Sequence, residues 1–290
     1  MTTLETPIPT VSEHPEPSLV LTIARKELRD AVRGRWFWFY AAGFAIVAST
    51  LALVALPGAQ VSGFGSFGRT AASLVALVQL IVPLMGLTLG AQSLAGQNER
   101  GTLRYLLSHP VSRTEAFLGT YLGLLAALFT TVAVGFGAAG LLTALRGSGT
   151  NAGAFVRIAL LSWVLAAAML GVGMLISAIA RKGSSALGIA VFAWLALAFL
   201  GDLGIMGTAV ATRLPVNALF ASALLNPIEA FRLAALTSFS GSLDVLGPVG
   251  SYAIDRFGVA LDPVIFTALI VWTIVPLVAA WWFFAKRKDL

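Results

Sequence analysis

Residues 98–119, NERGTLRYLLSHPVSRTEAFLG, carry five charged side chains in a chain that is otherwise strongly hydrophobic. An apolar segment lies on each side of this stretch, at residues 71–95 and 118–145. A helix needs about 20 apolar residues to cross a hydrocarbon layer of roughly 30 Å, and both segments exceed that length. The stretch is therefore expected to join two membrane-spanning helices on one side of the membrane, and this sets the alternation of the other spans.

The composition of the whole chain is that of a membrane protein with several helical spans. Of its 290 residues, 58% are hydrophobic and 11% are charged, and the mean hydropathy is +0.89. Soluble domains carry about 25% charged residues. Because the chain has no cysteine, thiolate metal sites and disulfides within it are excluded. The sequence predicts an all-α polytopic membrane protein with six transmembrane helices, at residues 37–56, 71–95, 118–145, 155–180, 184–203 and 263–285.

The distribution of basic residues predicts the orientation of the chain. A net charge of +6 and a pI near 10.2 would also fit a protein that binds nucleic acid. With the N-terminus inside, however, thirteen of the 19 lysine and arginine residues fall in cytoplasmic segments, and the outer segments carry only arginine. This bias follows the positive-inside rule, so we expect both termini in the cytoplasm and no binding of nucleic acid.

The segment before the first span divides into two parts. Residues 1–18 are rich in proline and glutamate, which is typical of a disordered tail. Residues 19–35 are expected to form an amphipathic elbow helix in the inner membrane interface, with its apolar face toward lipid. A transmembrane domain then covers residues 36–290. The apolar residues of the elbow helix recur at helical spacing: Leu21, Ala24, Leu28 and Val32.

One apolar segment, residues 215–236, is expected not to cross the membrane. It contains Asn226, Pro227 and Glu229, which supply a cap residue, a proline at the first helical position and an acid at the third. A seventh span would also place the basic C-terminus outside. We therefore expect a break at Asn226 and a pair of short re-entrant or outer-surface helices between the fifth and sixth spans.

Two sets of residues each permit two interpretations. Glu229 and Arg232 form a surface ion pair, or together with Asn226 they contact a periplasmic partner. Small and polar residues on one face of the second span, and at the start of the third, serve helix packing or line a transport pathway. The residues of this second set are Gln79, Pro83, Gly86, Gly90, Gly119 and Gly123.

The sequence lacks the motifs of an enzyme. It has no G-x-x-x-x-G-K-[ST] phosphate loop and no H-E-x-x-H zinc motif, so we expect neither catalytic residues nor a metal site. The predicted spans also carry essentially no ionisable residue near their centres, where a carrier driven by an ion gradient needs one. If the protein moves a substrate uphill, we expect the energy to come from another subunit.

The charged stretch itself contains two helix signals. Residues 102–108 can form two helical turns between Gly101 and Pro110, and Ser112 with Glu115 predicts a capping box before the third span. The leucines of the short helix form an apolar stripe, which either docks in a groove of a soluble partner and transmits its motion or rests on the bilayer. The candidate coupling residues are Glu99, Arg100, Thr102, Leu103, Arg104, Leu106 and Leu107.

The pattern NERGTLRYLLSHPVSR, followed closely by FLG, resembles the loop between the second and third spans of ABC-2 type permeases. In that family the loop forms a coupling helix, which fits into a cleft of a cytoplasmic ATPase subunit. The segments ARKELRDAVRGRW (residues 24–36) and LNPIEAFRLAAL (residues 225–236) further resemble the NosY-type branch. The permease of that branch is needed to mature the copper site of nitrous oxide reductase.

The resemblance implies a set of partners. Two copies of the chain would pair, in the inner membrane of a bacterium or archaeon, with two ATPase subunits that bind the ATP and magnesium. A periplasmic accessory protein would join them, with a copper chaperone as one candidate. The chain has no cysteine, no outer histidine and only Met206 near the outer side, so either the cargo is not bare copper or partners hold the copper. Export of a lipid, peptide or drug-like molecule is an alternative, as is a membrane scaffold without transport.

Overall fold

The computed structural model describes residues 17–55, 65–145, 152–200, 215–237 and 248–287. This part of the chain is helical apart from short turns and contains no strand, so the all-α prediction is confirmed for it. The helices are α1 (Pro17–Arg33), α2 (Arg35–Ala55), α3 (Gly65–Glu99), α4 (Thr102–Leu107), α5 (Arg113–Leu145), α6 (Ala152–Ile179), α7 (Gly183–Leu195, continued by a π-helical turn over Ala196–Leu200), α8 (Val216–Leu224), α9 (Pro227–Leu236), α10 (Pro248–Phe257) and α11 (Leu261–Lys286).

The predicted disordered tail falls largely outside the described residues. Its last two residues, Pro17 and Ser18, are an exception, because they lie in the first turn of α1. Met206 and the ends of the first and fifth predicted spans are likewise outside the described part of the chain.

Four helices are long and apolar enough to cross a membrane. They are the described portions of α3, α5 and α6 together with α11: Ser73–Glu99, Arg113–Leu142, Gly153–Ile179 and Leu261–Lys286. These helices match the second, third, fourth and sixth predicted spans. Shorter apolar helices, Phe37–Leu51 and Gly183–Phe199, occupy the positions of the first and fifth.

The helix break at Asn226 is present as the sequence predicts. Helices α8 and α9 meet at a bend of 107°. The side chain of Asn226 accepts a hydrogen bond from the backbone N–H of Ile228 (3.0 Å), and Pro227 occupies the first helical position. An Asn cap followed by proline starts a new helix because the cap accepts an otherwise unpaired N–H and proline lacks one.

The centre of the fold is the crossing of α3 and α6, where glycines bring the two backbones together. A Cβ atom at Gly90 would lie 2.6 Å from the carbonyl oxygen of Leu170, and one at Gly173 would lie 2.5 Å from that of Leu87. Gly86 is similarly close to Met169. Ser177 then donates a hydrogen bond to the carbonyl of Ala91 (2.7 Å). Small residues permit this approach, which supplies the packing that holds helices together in lipid.

A second close contact joins α1 to α5. A Cβ at Gly119 would lie 2.6 Å from Ile23, and one at Gly123 would lie 2.5 Å from the carbonyl oxygen of Ala24. The buried face of α1 therefore consists of Ile23, Ala24 and Glu27. Within the apolar stripe that the sequence predicts to face lipid, Leu21 is 70% exposed, whereas Ala24 packs into the notch formed by the two glycines.

Candidate coupling site at the α4 end of the bundle

Helix α4 folds back against the end of α3 at a glycine. Gly101 has φ of 75°, a left-handed conformation that glycine adopts without steric cost. Thr102 Oγ1 donates a hydrogen bond to the carbonyl of Gln97 (3.1 Å), which fixes the first residue of α4 against the last turn of α3. Helix α4 contacts both α3 and α5, so it lies across the ends of two long helices.

The apolar side of α4 faces the protein's own core. Leu103 is 1% exposed and belongs to the main hydrophobic cluster, while Leu106 and Leu107 are half-buried. The expectation that Leu103 contributes to a stripe docking in a partner's groove is therefore wrong. Its side chain packs in that cluster on the side of α4 that lies against α3 and α5, so it does not face a partner.

The outer side of α4 is polar and aromatic. Thr102, Arg104 and Tyr105 are exposed, Tyr105 by 71%. The Tyr105 ring packs edge-on against His109 with ring centroids 4.9 Å apart, and His109 Nδ1 lies 3.0 Å from the Tyr105 carbonyl oxygen. The sequence analysis did not include Tyr105 or His109 among the candidate coupling residues. Tyr105 and His109 are four residues apart, which places them on one face of a helix, opposite Leu103. That spacing was the signal available in the sequence.

Two hydrogen bonds fix the end of the connection from α4 to α5, at Ser112 and Glu115. The backbone N–H of Ser112 donates to Glu115 Oε2 (2.7 Å), and the N–H of Glu115 donates back to Ser112 Oγ (3.2 Å). The predicted capping box is thus confirmed. Glu115 is only 2% exposed, and its carboxylate also lies at the N-terminal end of α5, where the helix dipole favours negative charge.

Glu99 connects the end of α3 to the start of α7. Its Oε2 accepts a hydrogen bond from the backbone N–H of Gly183 (2.8 Å). Gln92 Nε2 donates to the carbonyl of Gly183 (3.2 Å). Lys182, the residue before α7, makes no side-chain capping bond, so the Glu99 carboxylate satisfies the first N–H of this helix. Glu99 was predicted for ATPase coupling, and the structure places it at a contact between two helices. Arg100 beside it is exposed.

A buried carboxylate on α1 connects that helix to the end of α3. Glu27 is 7% exposed, and its Oε1 accepts hydrogen bonds from Gln97 Nε2 (3.1 Å) and Lys26 Nζ (2.8 Å). Partial burial lowers the pKa of Lys26, but hydrogen bonds and charge attraction from Glu27 and Asp30 outweigh this and raise it overall. Lys26 therefore stays charged and offsets part of the cost of burying Glu27.

The end of α11 completes this region. Arg113 Nη1, at the start of α5, donates to the carbonyl of Ala285 (3.0 Å) and to that of Arg287. Arg287 Nη2 donates in turn to the carbonyl of Ala180, just after α6 (3.2 Å). The ends of α1, α3, α5, α6, α7 and α11 are therefore joined by polar contacts around α4.

Residues 21–290 match a known family over nearly the whole chain, and its description is ABC-2 family transporter protein. The chain belongs to the ABC-2 family. Among its relatives, the "Probable ABC transporter permease protein NosY" of Stutzerimonas stutzeri is 32% identical over 274 residues, covering 92% of this chain and 98% of that protein. The protein of the same description from Pseudomonas aeruginosa is 34% identical over 230 residues, covering 77% and 84%. The resemblance to the NosY-type branch is thereby confirmed, and the protein is a multi-pass membrane subunit of an ABC transporter.

The glycines predicted for packing or pathway lining in this ABC-2 protein all lie at close helix contacts. Gly86 and Gly90 meet α6, and Gly119 and Gly123 meet α1. Of the two remaining members of that set, Pro83 is buried within α3, and Gln79 Nε2 donates to the carbonyl of Ile228, just after the break (3.4 Å).

The residues proposed for a periplasmic contact are mostly buried. Asn226 is 8% exposed, and its Nδ2 donates to the carbonyl of Leu197 in the π-helical turn of α7 (2.7 Å). Glu229 is 6% exposed, with its Oε2 3.7 Å from Arg232 Nη1. The expected surface position of the Glu229–Arg232 pair is therefore wrong for Glu229, because α9 is enclosed by other helices. Of the three residues, Arg232 is the one that a partner can reach directly, with 38% of its side chain exposed.

In the part of the chain that the structure describes, no three His, Cys, Asp or Glu side chains lie close enough together to hold a metal ion. The two buried polar atoms without a hydrogen-bond partner among the described residues are Asn98 Oδ1 and Trp163 Nε1.

Proposed function

We propose that this ABC-2 protein transmits the motion of a separate ATPase subunit across the membrane, and that the ATPase docks on the outer face of α4. The observation that carries the proposal is the two-sided character of α4. Leu103 on its inner side is buried, whereas Tyr105 and Arg104 on its outer side are exposed. A short helix held by its core side and open on the other can present a docking surface without unfolding.

The proposed topology has six spans, formed by α2, α3, α5, α6, α7 and α11, with both termini in the cytoplasm. Helix α1 forms the elbow, and α8 with α9 forms a re-entrant pair on the opposite side. The charge of the α4 end supports this orientation, since it concentrates basic residues as the positive-inside rule requires. These residues are Arg100, Arg104, Arg113, Arg181, Lys182, Lys286 and Arg287.

The proposed assembly contains two copies of this chain and two ATPase subunits, which bind ATP and magnesium. In this arrangement the chain needs no nucleotide site of its own. Its contribution is mechanical: the capping box passes displacement of α4 to α5, and the Glu99–Gly183 contact passes it to α7.

For the biological role, we infer that the transporter serves maturation of the copper site of nitrous oxide reductase. Two relatives named NosY, which align with most of this chain, support that inference. A periplasmic accessory protein is proposed to complete the assembly, with a copper chaperone as a candidate partner.

Co-purification tests the docking surface. The permease is co-expressed with an ABC ATPase subunit from the same organism, in three forms: wild type, the double variant Arg104→Glu with Tyr105→Ala, and the control Arg29→Glu. The control introduces the same charge reversal on another exposed residue, on α1. We expect the wild type and the control to recover the ATPase in equal amounts and the double variant to lose most of it. Equal recovery by all three forms contradicts docking on this face.

A gene deletion tests the biological role. We expect a strain lacking this gene to produce nitrous oxide reductase without its copper-site absorption spectrum. The wild-type gene should restore the spectrum, and the double variant should not. A normal spectrum in the deletion strain rejects the copper role and leaves export of another substrate as the function to pursue.

A further inference from the structure

Close backbone contacts unite α1, α2 and α5 into a first helix group. The glycine notch of α5 receives α1, as described above, and a Cβ added at Gly135 of α5 would lie 2.0 Å from the ring of Phe44 on α2. Ala127 of α5 packs with Phe37 and Ala41 of α2. Contacts this close leave no room for sliding, so the three helices are expected to move together.

A second helix group contains α3, α6, α7 and α11. The α3–α6 crossing is locked by its glycines and by Ser177, whose Oγ also accepts from the backbone N–H of Ala95 (2.8 Å). Helix α7 is held to α3 at Gly183, where a Cβ would lie 3.1 Å from Gly96 Cα. A Cβ at Gly171 of α6 would lie 3.4 Å from the carbonyl oxygen of Thr273 on α11.

The boundary between these groups, here called the seam, is held by side chains. Tyr40 Oη lies 3.3 Å from Thr88 Oγ1, and Tyr121 Oη lies 3.5 Å from the carbonyl oxygen of Ala167. Both distances exceed the usual 2.7–2.8 Å for a hydroxyl hydrogen bond. At the α4 end, Arg113 of α5 also crosses the seam, donating to the carbonyls of Ala285 and Arg287 at the end of α11. Of the described glycines, Gly140 alone has its nearest atoms across the seam, and these belong to the Phe155 ring.

Helix α4 lies across one end of this seam. It begins on α3, in the second group, and the chain after it enters α5, in the first group, through the capping box. Directly beside it, the Gln97 side chain donates to Glu27 of α1 and so crosses the seam, while the Gln97 carbonyl accepts from Thr102 of α4. Gln97 therefore contacts both groups and α4 at once.

We propose that Glu27 and Gln97 are positioning residues for coupling, which hold the two helix groups in register beneath α4 until a displacement of α4 moves one group against the other. The inference rests on the proposed function, since it takes the ATPase as the source of the displacement. It adds that the permease responds as two bodies and that a buried carboxylate on the elbow helix is one of the contacts that hold them in register. Packed groups with two discrete arrangements convert small local shifts into such motions.

The Glu99–Gly183 contact supplies a matched control. It is also a glutamate hydrogen bond at the α4 end, but it joins α3 to α7 within the second group. Glu27→Ala therefore removes a carboxylate across the seam, and Glu99→Ala removes one inside a group. Glu27→Gln keeps an oxygen that can accept from Gln97 and serves as the conservative variant.

Spin-label distances test the inference in the full complex with its ATPase, in lipid nanodiscs. The natural chain has no cysteine, so labels attach only where cysteines are introduced. Leu122→Cys with Ile189→Cys spans the seam, and Leu160→Cys with Ile189→Cys lies within the second group; all three side chains are exposed. Each doubly labelled chain is co-assembled with excess unlabelled chain, and distances are measured without nucleotide and with ATP plus vanadate.

We expect the seam distance to change by more than the roughly 1–2 Å of an ordinary helix adjustment, and the within-group distance to stay constant. Glu27→Ala should broaden the nucleotide-free seam distribution, Glu27→Gln should restore it, and Glu99→Ala should leave it unchanged. If both distances change equally, or neither changes while bound ATPase hydrolyses ATP, the two-body inference is overturned and the proposed function stands. A complex that contains no ATPase overturns both.

Discussion

Helices α4 and α9 are both short helices between membrane spans, yet they differ in how they are enclosed. Helix α4 starts at Gly101 without a side-chain cap, and its outer face is open. Helix α9 starts at Asn226 with a side-chain cap, and nine of its ten residues are buried. The difference shows that similar short helix signals can produce a helix with an exposed face in one place and a packed internal element in another.

The surroundings of α9 explain why it is enclosed. Trp272 Nε1 of α11 donates to the carbonyl of Leu224 at the start of the break (3.3 Å), while Arg157 joins Thr237, at the other end of α9, to Asp262 (3.2 and 2.8 Å). Trp272 and Asp262 are ten residues apart on α11, about 15 Å along a helix, which is also the length of α9. Helix α9 therefore runs beside one half of α11, which is itself long and apolar enough to cross a membrane.

Unpaired backbone groups at a buried helix break are costly. The structure meets this requirement with side-chain donors from neighbouring helices. Trp272 donates to Leu224 and Gln79 to Ile228, while Asn226 itself donates to Leu197. In α4, by contrast, the outer side has no covering helix among the described residues. We propose that it faces water, which can hydrogen-bond to its polar groups. Substitutions in the two regions test this contrast.

The largest expected effect is Phe231→Ala in α9. The Phe231 side chain is fully buried (0% exposed), so truncation leaves a cavity among α9 and its neighbours. We expect a loss of about 3 kcal/mol in the free energy of unfolding, at the low end for such truncations because lipid reduces the transfer contribution. Unfolding by SDS from mixed micelles measures it. Tyr105→Ala in α4 is the matched control and should change stability by less than about 0.5 kcal/mol; equal losses would remove the contrast.

The next effect compares a buried leucine of α4 with an exposed leucine at the α8–α9 bend. Leu103→Ala should cost about 2 kcal/mol, because it removes a fully enclosed side chain at the ends of α3 and α5. The same substitution at Leu225, at the α8–α9 bend, should be nearly neutral, since that side chain is 74% exposed. Both variants are measured in the SDS titration. A neutral Leu103→Ala would return this residue to the surface role that the sequence first suggested.

A smaller effect is expected at the cap of α9. Asn226→Ala removes both the bond to Ile228 and the bond to Leu197 and should cost about 1–2 kcal/mol. Asn226→Asp keeps the acceptor for Ile228 but loses the donor to Leu197, so it should fall between the wild type and Asn226→Ala. If Asn226→Asp is as stable as the wild type, the contact between the break and α7 contributes nothing.

Local signals in the sequence predicted much of this fold. Hydropathy located α3, α5, α6 and α11. Cap residues within a few positions of one another predicted the start of α9 and the box of Ser112 and Glu115. These features depend on spacings shorter than a helical turn or on the length of an apolar run, and both can be read without knowing which helices are neighbours.

The contacts that define the candidate coupling site could not be predicted in the same way. Glu99 meets Gly183 at a sequence separation of 84 residues, and Gln97 meets Glu27 at a separation of 70. The direction of Leu103 was also undetermined, because an apolar stripe packs equally well against its own bundle or against a partner. The inner orientation follows only once α3 and α5 are placed on either side of it.

The smallest expected effect concerns the entry to α5. Ser112→Ala removes the side-chain oxygen that accepts from the N–H of Glu115 but leaves the N–H of residue 112 free to donate to the Glu115 carboxylate. Half of the capping box therefore survives, and we expect a cost of about 0.5–1 kcal/mol. Glu115→Ala removes the other half together with a buried carboxylate near the helix N-terminus and should cost more.

If the box also carries displacement from α4 to α5, Glu115→Ala should reduce the nucleotide-dependent change in the seam distance while Ser112→Ala should retain it. Equal reductions by the two variants would show that transmission depends on the whole turn between α4 and α5.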